Sequence, residues 1–368
     1  MAMDQRAETV RCGMLPFASI KSNPMQVVTK LAVLALAATP LFGQAPSVTA
    51  ETARLVFHAA PLGKGPLRRQ VSDAVKHLKT FGQIVKLRAF VTAGTDLEAV
   101  AATVSGMFPP QSRPVLNLVQ IGRLPEPVAL VLMEAVSVSS NIENPNGLVF
   151  LSGQLTQAPL DPAQTRMLVA PLAEKSIAGL KAVAGSLEVN PADVVRVNCF
   201  TSSVEDHTRV QSLVNRAFPK AGVSVMQIQR TPTDRFVECE GVARLHATSP
   251  DPVRLVNPTQ AAFAQAAMVT APRVIFTTTW PVASNDDTGV RQALSELKRG
   301  LDAAGSGLDR AFYIYAYPGN AAMLAKYRGL RFEFLDRTRA PASTNLVFEG
   351  AGASRSTLGI DAIAVPLK

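Results

Sequence analysis

A short pattern that occurs twice in the chain indicates its architecture: VQIGRLP at residues 119–125 returns as MQIQRTP at residues 226–232. Each copy is followed by a strand-like segment that contains an acid, MEAV at 133–136 and CEGV at 239–242. A third segment of this kind, IDAIAV at 360–365, closes the chain. Because self-similarity at a regular spacing is typical of repeated structural units, the chain is predicted to contain three related units.

The segments upstream of these patterns agree with three units. Each unit opens with a short apolar strand, at 55–57, 148–150 and 274–276. An amphipathic helix follows, and in the second and third units its apolar residues step by 4, 3, 4 and 3 along residues 173–187 and 290–304. That spacing places the apolar residues on one buried helical face.

The rest of each unit completes a β-α-β-α-β-β order, and an opening hairpin is expected as well. A strand rich in Val, Phe and Tyr comes next, then a second helix, then two closing strands. The middle strands are predicted at 84–92, 194–201 and 311–317, and the second helices at 96–108, 204–218 and 321–336. Such a unit is an α+β module with a mixed sheet and both helices on one face.

Two joints rich in Pro and Asn, at 141–147 and 249–258, separate the units. We therefore predict domains at residues 51–140, 141–250 and 251–368. A sheet with helices on one face leaves its other face to be covered. Three copies can pack these faces together around a pseudo-threefold axis, as homotrimers do with separate chains. The predicted fold is an intramolecular α+β pseudo-trimer, and the chain is expected to be a monomer.

Residues 25–50 have the features of a secretory signal peptide. Lys30 precedes an apolar run at 31–42, and the small residues up to Ala50 fit a cleavage site. The run is too short to span a bilayer. The segment 1–24 has no periodicity and is interpreted as an upstream start-site artefact, whereas a buried N-terminal helix is the alternative for the apolar run. The mature protein is therefore expected to be periplasmic or secreted and not held in a membrane.

The composition excludes several classes of protein. With 47% hydrophobic and 18% charged residues, the chain is not disordered. Its formal net charge of +9 comes from dispersed Lys and Arg residues, so nucleic-acid binding is not expected. Two of the three cysteines, Cys199 and Cys239, lie in apolar strand-like segments of the mature chain. We expect two buried thiols; a disulfide is the alternative if the strands bring their Cα atoms within about 7 Å.

The sequence contains no recognisable metal or cofactor motif. Its four histidines fall at no metal-ligand spacing, and neither a Gly-x-Ser-x-Gly elbow nor a dinucleotide-binding glycine pattern occurs. We therefore expect no cofactor and no metal. Trp280, the only tryptophan, follows the third opening strand. It is interpreted as a turn-capping aromatic residue, with a place in a ligand pocket as the alternative.

The second unit resembles the RidA (YjgF) family of enamine/imine deaminases. The resemblance rests on NPNGLVFLSGQ at 144–154, DVVRV at 193–197 and VECEGVA at 237–243, which are spread over nearly the whole unit. It implies a chorismate-mutase-like trimer in which the sheets form a central barrel, the helices lie outside, and small ligands bind in clefts between neighbours. It also implies hydrolysis of 2-imino acids, such as 2-iminobutanoate and 2-iminopropanoate, to 2-keto acids and ammonia without metal or cofactor.

The family's carboxylate-binding arginine is absent from all three units. The resemblance places it in a Pro-Ala-Arg-Ser stretch before the first closing strand, where this chain has Leu116, Val223 and Ser343. An arginine there would bind a substrate carboxylate through two parallel hydrogen bonds. Its loss removes about 1.5–3 kcal/mol of binding free energy per site, so the clefts are expected to take a neutral ligand rather than a carboxylate.

The three predicted units retain the other positions of the family's site to different extents. Ser152 and Gly153 match its Ser-Gly pair, and the acid that holds the attacking water matches Glu240 in the second unit, Glu134 in the first and Asp361 in the third. A carboxylate that faces solvent or pairs with a nearby arginine is the alternative for these acids. The candidate catalytic residues are Glu240, Ser152 and Glu134. The candidate cleft residues are Ser152, Gly153, Val223, Leu116, Ser343 and Thr278.

Two functions are compatible with these observations. The first is an exported, non-catalytic binder of a small apolar or neutral molecule, or of a protein partner, at the clefts between units. The second is an enamine/imine deaminase or a related hydrolase at the cleft of the second unit, beside Ser152 and Glu240. The missing arginines favour the first function, and the sequence names no ligand for either.

Overall fold

The computed structural model describes residues 45–367, except residues 162, 164, 165, 259, 260 and 262. Most of the predicted signal segment, 25–50, therefore lies outside the described residues, as do the predicted start-site segment 1–24 and Cys12. Among the residues that the structure describes, none of the helices combines the length and the hydrophobicity that spanning a bilayer requires.

Strands outnumber helices in the described part of the chain, and the mixture confirms the predicted α+β class. The strands are β1 (Ser47–Glu51), β2 (Leu55–Ala59), β3 (Gln83–Val91), β4 (Val115–Gln120), β5 (Val131–Val138), β6 (Leu148–Pro159), β7 (Val194–Thr201), β8 (Gly222–Gln227), β9 (Asp234–Arg244), β10 (Val253–Val256), β11 (Ala266–Val269), β12 (Arg273–Thr277), β13 (Trp280–Val282), β14 (Ala311–Pro318), β15 (Ala342–Asn345), β16 (Gly350–Ala351) and β17 (Leu358–Ala364). The helices are α1 (Leu67–Lys79), α2 (Leu97–Ser105), α3 (Ala170–Ser186), α4 (His207–Ala217), α5 (Asp287–Ala303) and α6 (Ala321–Leu330).

The strands form three separate sheets. The first sheet has the order β16-β4-β3-β5-β2, the second β10-β11-β6-β9-β7-β8, and the third β1-β12-β17-β14-β15, with β13 also paired to β17. One pair in each sheet is parallel, namely β3–β4, β7–β8 and β14–β15. Four strands of each sheet therefore follow one order: the opening strand, the last strand, the middle strand and the parallel strand.

Two helices cover one face of each sheet, α1 and α2 on the first, α3 and α4 on the second, and α5 and α6 on the third. Helix α5 shows how the sequence produces this packing. Its N-cap, Asp286, accepts a hydrogen bond from the Gly289 N–H at 2.9 Å. Val290, Leu294 and Leu297 on its inner face are fully buried. Burying a side chain of this size stabilises the fold by about 1.5–3 kcal/mol, so the apolar stepping pattern accounts for the contact.

The opposite faces of the three sheets meet in one shared apolar core. Phe90 and Phe200, from the first and second sheets, have ring centroids 6.1 Å apart, and those of Phe150 and Phe312, from the second and third, are 5.2 Å apart. The described strands do not form the closed central barrel that the resemblance implied. The reason is visible at β2 and β8, which are edge strands that lie near each other without pairing.

The strand before an opening strand joins a different sheet from the one expected. Strand β1 precedes β2 but pairs with β12 of the third sheet, and β11 precedes β12 but pairs with β6 of the second sheet. The predicted opening hairpin therefore does not form between β1 and β2 or between β11 and β12, although β10 and β11, at the start of the third predicted unit, pair antiparallel with each other. The connection after β1 explains the difference, because residues 52–54 form a 3-10 turn that carries the chain from the third sheet into the first instead of reversing it.

The end of the predicted signal segment belongs to this exchanged strand. Residues 47–51 pair one by one with residues 277–273, and Ala50 is buried. Cleavage before Glu51 would remove four of the five residues of β1 and expose the edge of the third sheet. A cleavage site that preserves this strand therefore lies before Ser47.

Cys199 and Cys239 are joined by a disulfide. They lie directly opposite each other on β7 and β9, with Cα atoms 4.2 Å apart, and both are fully buried on the helix-covered side of the second sheet. The expectation of two buried thiols is therefore wrong. The register of an antiparallel pair decides which residues stand opposite each other, and the sequence did not give that register.

Trp280 is a strand residue and not a turn cap. It pairs with Ile360 in the third sheet and is buried against α5. Gly300 of α5 allows this contact, because a Cβ atom there would lie 2.9 Å from the indole ring.

Candidate functional site

The acids that were predicted to be catalytic lie in a buried polar cluster where the three sheets meet. We call it the inner cluster. Its charged members are Lys86, Arg88, Glu134, Arg196, Glu240 and Asp361, none of them more than 7% exposed. A cavity of about 60 Å³ is lined in part by five of these residues, all except Asp361, and by Tyr313 and Tyr315.

Glu134 on β5 is bound by two arginines. Its carboxylate accepts hydrogen bonds from Arg88 Nε and Nη2 at 3.1 and 2.8 Å, and from Arg196 Nη2 at 2.6 Å. Burial alone would raise the pKa of Glu134, but the positive charges of Arg88 and Arg196 outweigh it and lower the pKa to about 2. These contacts match the alternative interpretation, a carboxylate paired with arginine, because so weak a base accepts a proton poorly.

Glu240 on β9 contacts all three sheets. Its carboxylate accepts hydrogen bonds from Arg88 at 3.2 Å, from Asn198 at 3.1 Å and from Thr344 at 2.5 Å. Asp361 on β17 forms an ion pair with Lys86 at 2.9 Å. The three acids thus all contact a cation of β3 in the first sheet, and the inner cluster joins the three sheets through its charges.

Gly153 and Ser343 line a cleft of about 200 Å³ between the second and third sheets, which we call the Gly153 cleft, and Ser152 is hydrogen-bonded to Ser343 beside it. The Ser152 hydroxyl donates to the carbonyl oxygen of Ala264 at 2.6 Å and accepts the Ser343 N–H at 3.3 Å. Because the backbone fills both of these hydrogen-bonding roles, the contacts of Ser152 are those of a residue that joins two sheets, and not those of a nucleophile.

The acid that faces the Gly153 cleft is Glu238, two residues before Glu240 on β9. Both acids lie on the same side of the strand, because alternate residues share a face. Gly153 leaves space for the Glu238 carboxylate, which a Cβ atom at that position would overlap. Burial and the negative charge of Glu240 raise the pKa of Glu238 to about 8, against the opposing charge of Arg328.

Two further polar groups line the Gly153 cleft. Arg328 of α6 is exposed and lines this cleft. Asn345 is 6% exposed; its amide nitrogen donates to Ser343 Oγ at 2.8 Å, while its carbonyl oxygen is buried without a hydrogen-bond partner among the described residues. An unpaired buried acceptor costs about 1–3 kcal/mol. The cleft therefore offers a positive charge, a vacant acceptor and a carboxyl group that titrates near neutral pH.

The remaining predicted cleft residues lie at the two other boundaries between sheets. Val223 lines a cleft of about 760 Å³ between the first and second sheets, together with Ala59 and Ala60. Thr278 donates a hydrogen bond to the carbonyl oxygen of Leu116 at 2.9 Å, which joins the third sheet directly to the first. The three boundaries are therefore not equivalent.

The sequence reasoning missed Glu238, Asn345 and Arg328. Glu238 could have been identified from the sequence, because it belongs to the stretch 237–243 that carries the resemblance and shares a strand face with Glu240. No comparable pattern in the sequence indicated that Arg328 would be a cleft residue. This arginine comes from helix α6, whereas the resemblance placed the cleft arginine just before a strand.

Comparison with known proteins gives a family match. The family model described as endoribonuclease L-PSP matches residues 137–245. Protein DfrA of Myxococcus xanthus is 34% identical over 102 residues, an alignment that covers 26% of this chain and 75% of that protein.

Two solved structures illustrate the range of similar proteins. A member of the YjgF family from Neisseria meningitidis is 17% identical, with a TM-score of 0.24, and the alignment covers 32% of this chain and 96% of that one. A chorismatase is 13% identical, with a TM-score of 0.28, and the alignment covers 86% of this chain and 99% of that one. On the strength of the family model and the DfrA alignment, the chain belongs to the RidA (YjgF) family, whose model carries the description endoribonuclease L-PSP.

Proposed function

We propose that the chain consists of three RidA-like units, residues 51–140, 141–250 and 251–368, arranged cyclically in one monomeric polypeptide. The common strand order of the three sheets and their shared core support this arrangement. The boundaries support it as well, since an opening strand meets the parallel strand of another unit each time. Strand β2 meets β8, β6 meets β15, and Thr278, just after β12, meets Leu116 of β4.

The function that the geometry supports best is binding of a small carboxylate that carries an N–H group, in the Gly153 cleft. The observation that carries this proposal is the convergence of Arg328, Glu238 and Asn345 on one cleft of about 200 Å³. A guanidinium binds a carboxylate through charge-assisted hydrogen bonds, and the vacant carbonyl oxygen of Asn345 can accept an N–H. This ligand differs from the neutral molecule expected from the sequence, because Arg328 supplies the positive charge from another element.

Hydrolysis of an imine in the same cleft is the second candidate function, and the pKa of Glu238 favours it. A carboxyl group with a pKa of about 8 can both hold and release a proton near neutral pH, as a general acid–base group must. With the carboxylate of a 2-imino acid on Arg328, Glu238 takes a proton from the attacking water and returns one to the leaving nitrogen. The imine and one water then give the 2-keto acid and ammonia.

Binding is tested by calorimetric titration with 2-aminobutanoate and 2-oxobutanoate. The wild-type chain should bind both, and the amine more tightly because only it offers an N–H to Asn345. Arg328→Met should weaken both at least tenfold, since a charge-assisted hydrogen bond contributes about 1.5–3 kcal/mol. Arg68→Met removes an exposed arginine of α1 and is the matched control. Failure of both compounds to bind, or an equal loss in the control variant, would reject the carboxylate site.

Catalysis is tested separately, with an amino-acid oxidase as the source of 2-imino acid and semicarbazide as the trap. A deaminase lowers the fraction of imine that is trapped, and Glu238→Gln should abolish that effect while keeping the shape of the side chain. An unchanged trapped fraction with the wild-type chain rejects the deaminase and leaves the binding function in place.

We also propose that the chain is exported to the periplasm or secreted, by way of the apolar segment 31–42. The disulfide between Cys199 and Cys239 supports export, because disulfides persist in oxidising compartments and are rare in the cytosol.

A further inference from the structure

A second cleft, separate from the Gly153 cleft, lies between the first and second sheets. Its volume is about 760 Å³. Pockets for drug-sized molecules measure roughly 300–1,000 Å³. Its walls include β2 and β8, which are the edge strands of their sheets. We call it the β2–β8 cleft.

The width of this cleft follows from the strand exchange between sheets. Strand β11 covers the outer edge of β6, and β1 covers that of β12, whereas β2 pairs only with β5 among the described strands. The side chains also differ from those of the Gly153 cleft. Ala59 and Ala60 stand where the second unit has Ser152 and Gly153, and the lining acid Glu238 has no acidic counterpart here, because Leu132 takes the equivalent place on β5.

Positive charge exceeds negative charge in the lining. The cations are Arg196, Lys220 and Arg244, and Glu126 is the one acid among the residues that line the cleft. Arg196 is buried and paired inside the inner cluster, whereas Lys220 is exposed and the Arg244 side chain is 40% exposed, so these two cations are accessible to a ligand. Arg244 reaches Glu143 at 3.5 Å, but its Nε is buried without a hydrogen-bond partner among the described residues.

The inner side of the cleft is apolar and includes a neutral histidine. Burial and the positive charge of Arg196 lower the pKa of His58 to about 4, so the ring is uncharged at neutral pH. The ring stacks on Phe81, with centroids 3.7 Å apart, and its Nε2 is buried without a partner among the described residues. Leu132 and Val223 extend this apolar surface.

We propose that the β2–β8 cleft binds an organic anion with an apolar body. The apolar surface holds the body of the ligand, and Lys220 and Arg244 bind its anionic group. The ligand is larger than the small carboxylate of the Gly153 cleft, because the volume available is about 760 Å³ rather than about 200 Å³. This site does not depend on the function proposed for the Gly153 cleft.

The test uses two fluorescent probes with the same aromatic body. One is 8-anilinonaphthalene-1-sulfonate, and the other is N-phenyl-1-naphthylamine, which lacks the sulfonate. The wild-type chain should bind one sulfonate probe with at least tenfold higher affinity than the neutral probe. The double variant Lys220→Met/Arg244→Met should weaken the sulfonate probe at least tenfold and the neutral probe less than twofold. Arg291→Met/Lys298→Met removes two exposed cations of α5 that each pair with one acid, and this matched control should change neither affinity.

A second set of variants locates the site. Val223→Trp fills the cleft and should abolish binding of both probes with an unchanged far-ultraviolet circular dichroism spectrum, which reports the backbone. Arg328→Met, in the Gly153 cleft, should leave both affinities unchanged. The proposal is overturned if the wild-type chain binds neither probe, if folded Val223→Trp still binds the sulfonate probe, or if the loss of Lys220 and Arg244 weakens both probes equally. The double variant tests the proposal even if Val223→Trp fails to fold.

Discussion

Glu238 and Glu240 show how two acids on one strand face acquire different chemistry. Glu240 contacts Arg88 within the inner cluster. Glu238 lies two residues before Glu240 on the same strand and lines the Gly153 cleft, where the negative charge of Glu240 repels its own. Because side chains two residues apart on a strand point the same way, their sequence positions do not distinguish them. The neighbours supplied by other strands determine which acid is paired and which can exchange a proton near neutral pH.

Glu238→Gln should change how stability depends on pH. Burial and Glu240 raise the pKa of Glu238 from 4.5 to about 8 in the folded chain, so the folded state holds this proton more tightly than the unfolded state. That contribution is fully present below the unfolded pKa and is lost as the pH rises through the folded pKa. Between about pH 5 and pH 9, the free energy of unfolding of the wild type should fall by roughly 2–4 kcal/mol relative to Glu238→Gln. Urea unfolding at each pH measures the difference, and parallel curves would contradict the assignment.

At the scale of strands and helices, the exchange of edge strands decides which boundaries can hold a ligand. Strand β1 precedes β2 of the first sheet but pairs with β12 of the third, and β11 precedes β12 of the third sheet but pairs with β6 of the second. Strand β2 receives no such cover among the described strands, so the boundary between the first and second sheets is wide. An edge strand that stays unpaired offers free backbone groups, and the cleft beside β2 measures about 760 Å³, against about 200 Å³ for the Gly153 cleft.

The disulfide between β7 and β9 should stabilise the second sheet measurably. It joins residues that are 40 apart in the sequence, and the loss of chain entropy in the unfolded state corresponds to about 4 kcal/mol for such a loop. The double variant Cys199→Ser/Cys239→Ser should lose about that much free energy of unfolding. Reduced wild-type protein should approach the stability of the variant.

Protein recovered from the cell envelope or the medium provides a further check on the same bond. When it is unfolded without reductant, Cys199 and Cys239 should not react with a thiol reagent, and its N-terminus should lie beyond the segment 31–42. Two reactive thiols there would contradict the disulfide, and an intact segment 31–42 would contradict export.

At the scale of the whole molecule, the inner cluster joins the three sheets by balanced charge. Its three cations and three acids come from strands of every sheet, and each acid contacts a cation of β3. Removing one partner of a buried pair leaves the other charge uncompensated, which costs far more than removing a pair at the surface. Acids in the strand positions that the family uses for chemistry thus contribute here to the packing of the sheets.

Glu134→Gln should destabilise the chain by about 3–5 kcal/mol near neutral pH, because Arg88 and Arg196 lose their shared counter-charge. The pKa of Glu134 is lowered to about 2, so its contribution is present above the unfolded pKa and disappears as the pH falls through 2. The wild type and the variant should therefore converge in stability at strongly acidic pH. Denaturant unfolding measures both effects.

Glu174→Gln, which breaks an exposed pair with Arg209, is the control and should cost less than about 1 kcal/mol of unfolding free energy. Equal losses in Glu134→Gln and Glu174→Gln would contradict the role of the inner cluster.

Local patterns in the sequence were sufficient for the helices and for most of the strands, whereas β1, β10, β11, β13 and β16 were not predicted. The apolar stepping at 173–187 and 290–304 predicted α3 and α5, and the β-rich run at 311–317 predicted β14 almost residue for residue. The second helix of the last unit was predicted too long, because α6 ends at Leu330 and a 3-10 turn follows. Periodicity succeeds here because a helix or strand face is specified by residues only a few positions apart.

The amino-acid sequence by itself therefore determined the α+β class, most of the helices and strands, and the family, since each depends on neighbouring residues or on a matched motif. Tertiary structure alone decided that Cys199 stands opposite Cys239, that β1 joins β12, and that Arg328 shares a cleft with Glu238. These pairings join segments far apart in the chain. Their energies come from register, burial and charge at the place where the sheets meet, and no local pattern encodes which distant side chains will be there.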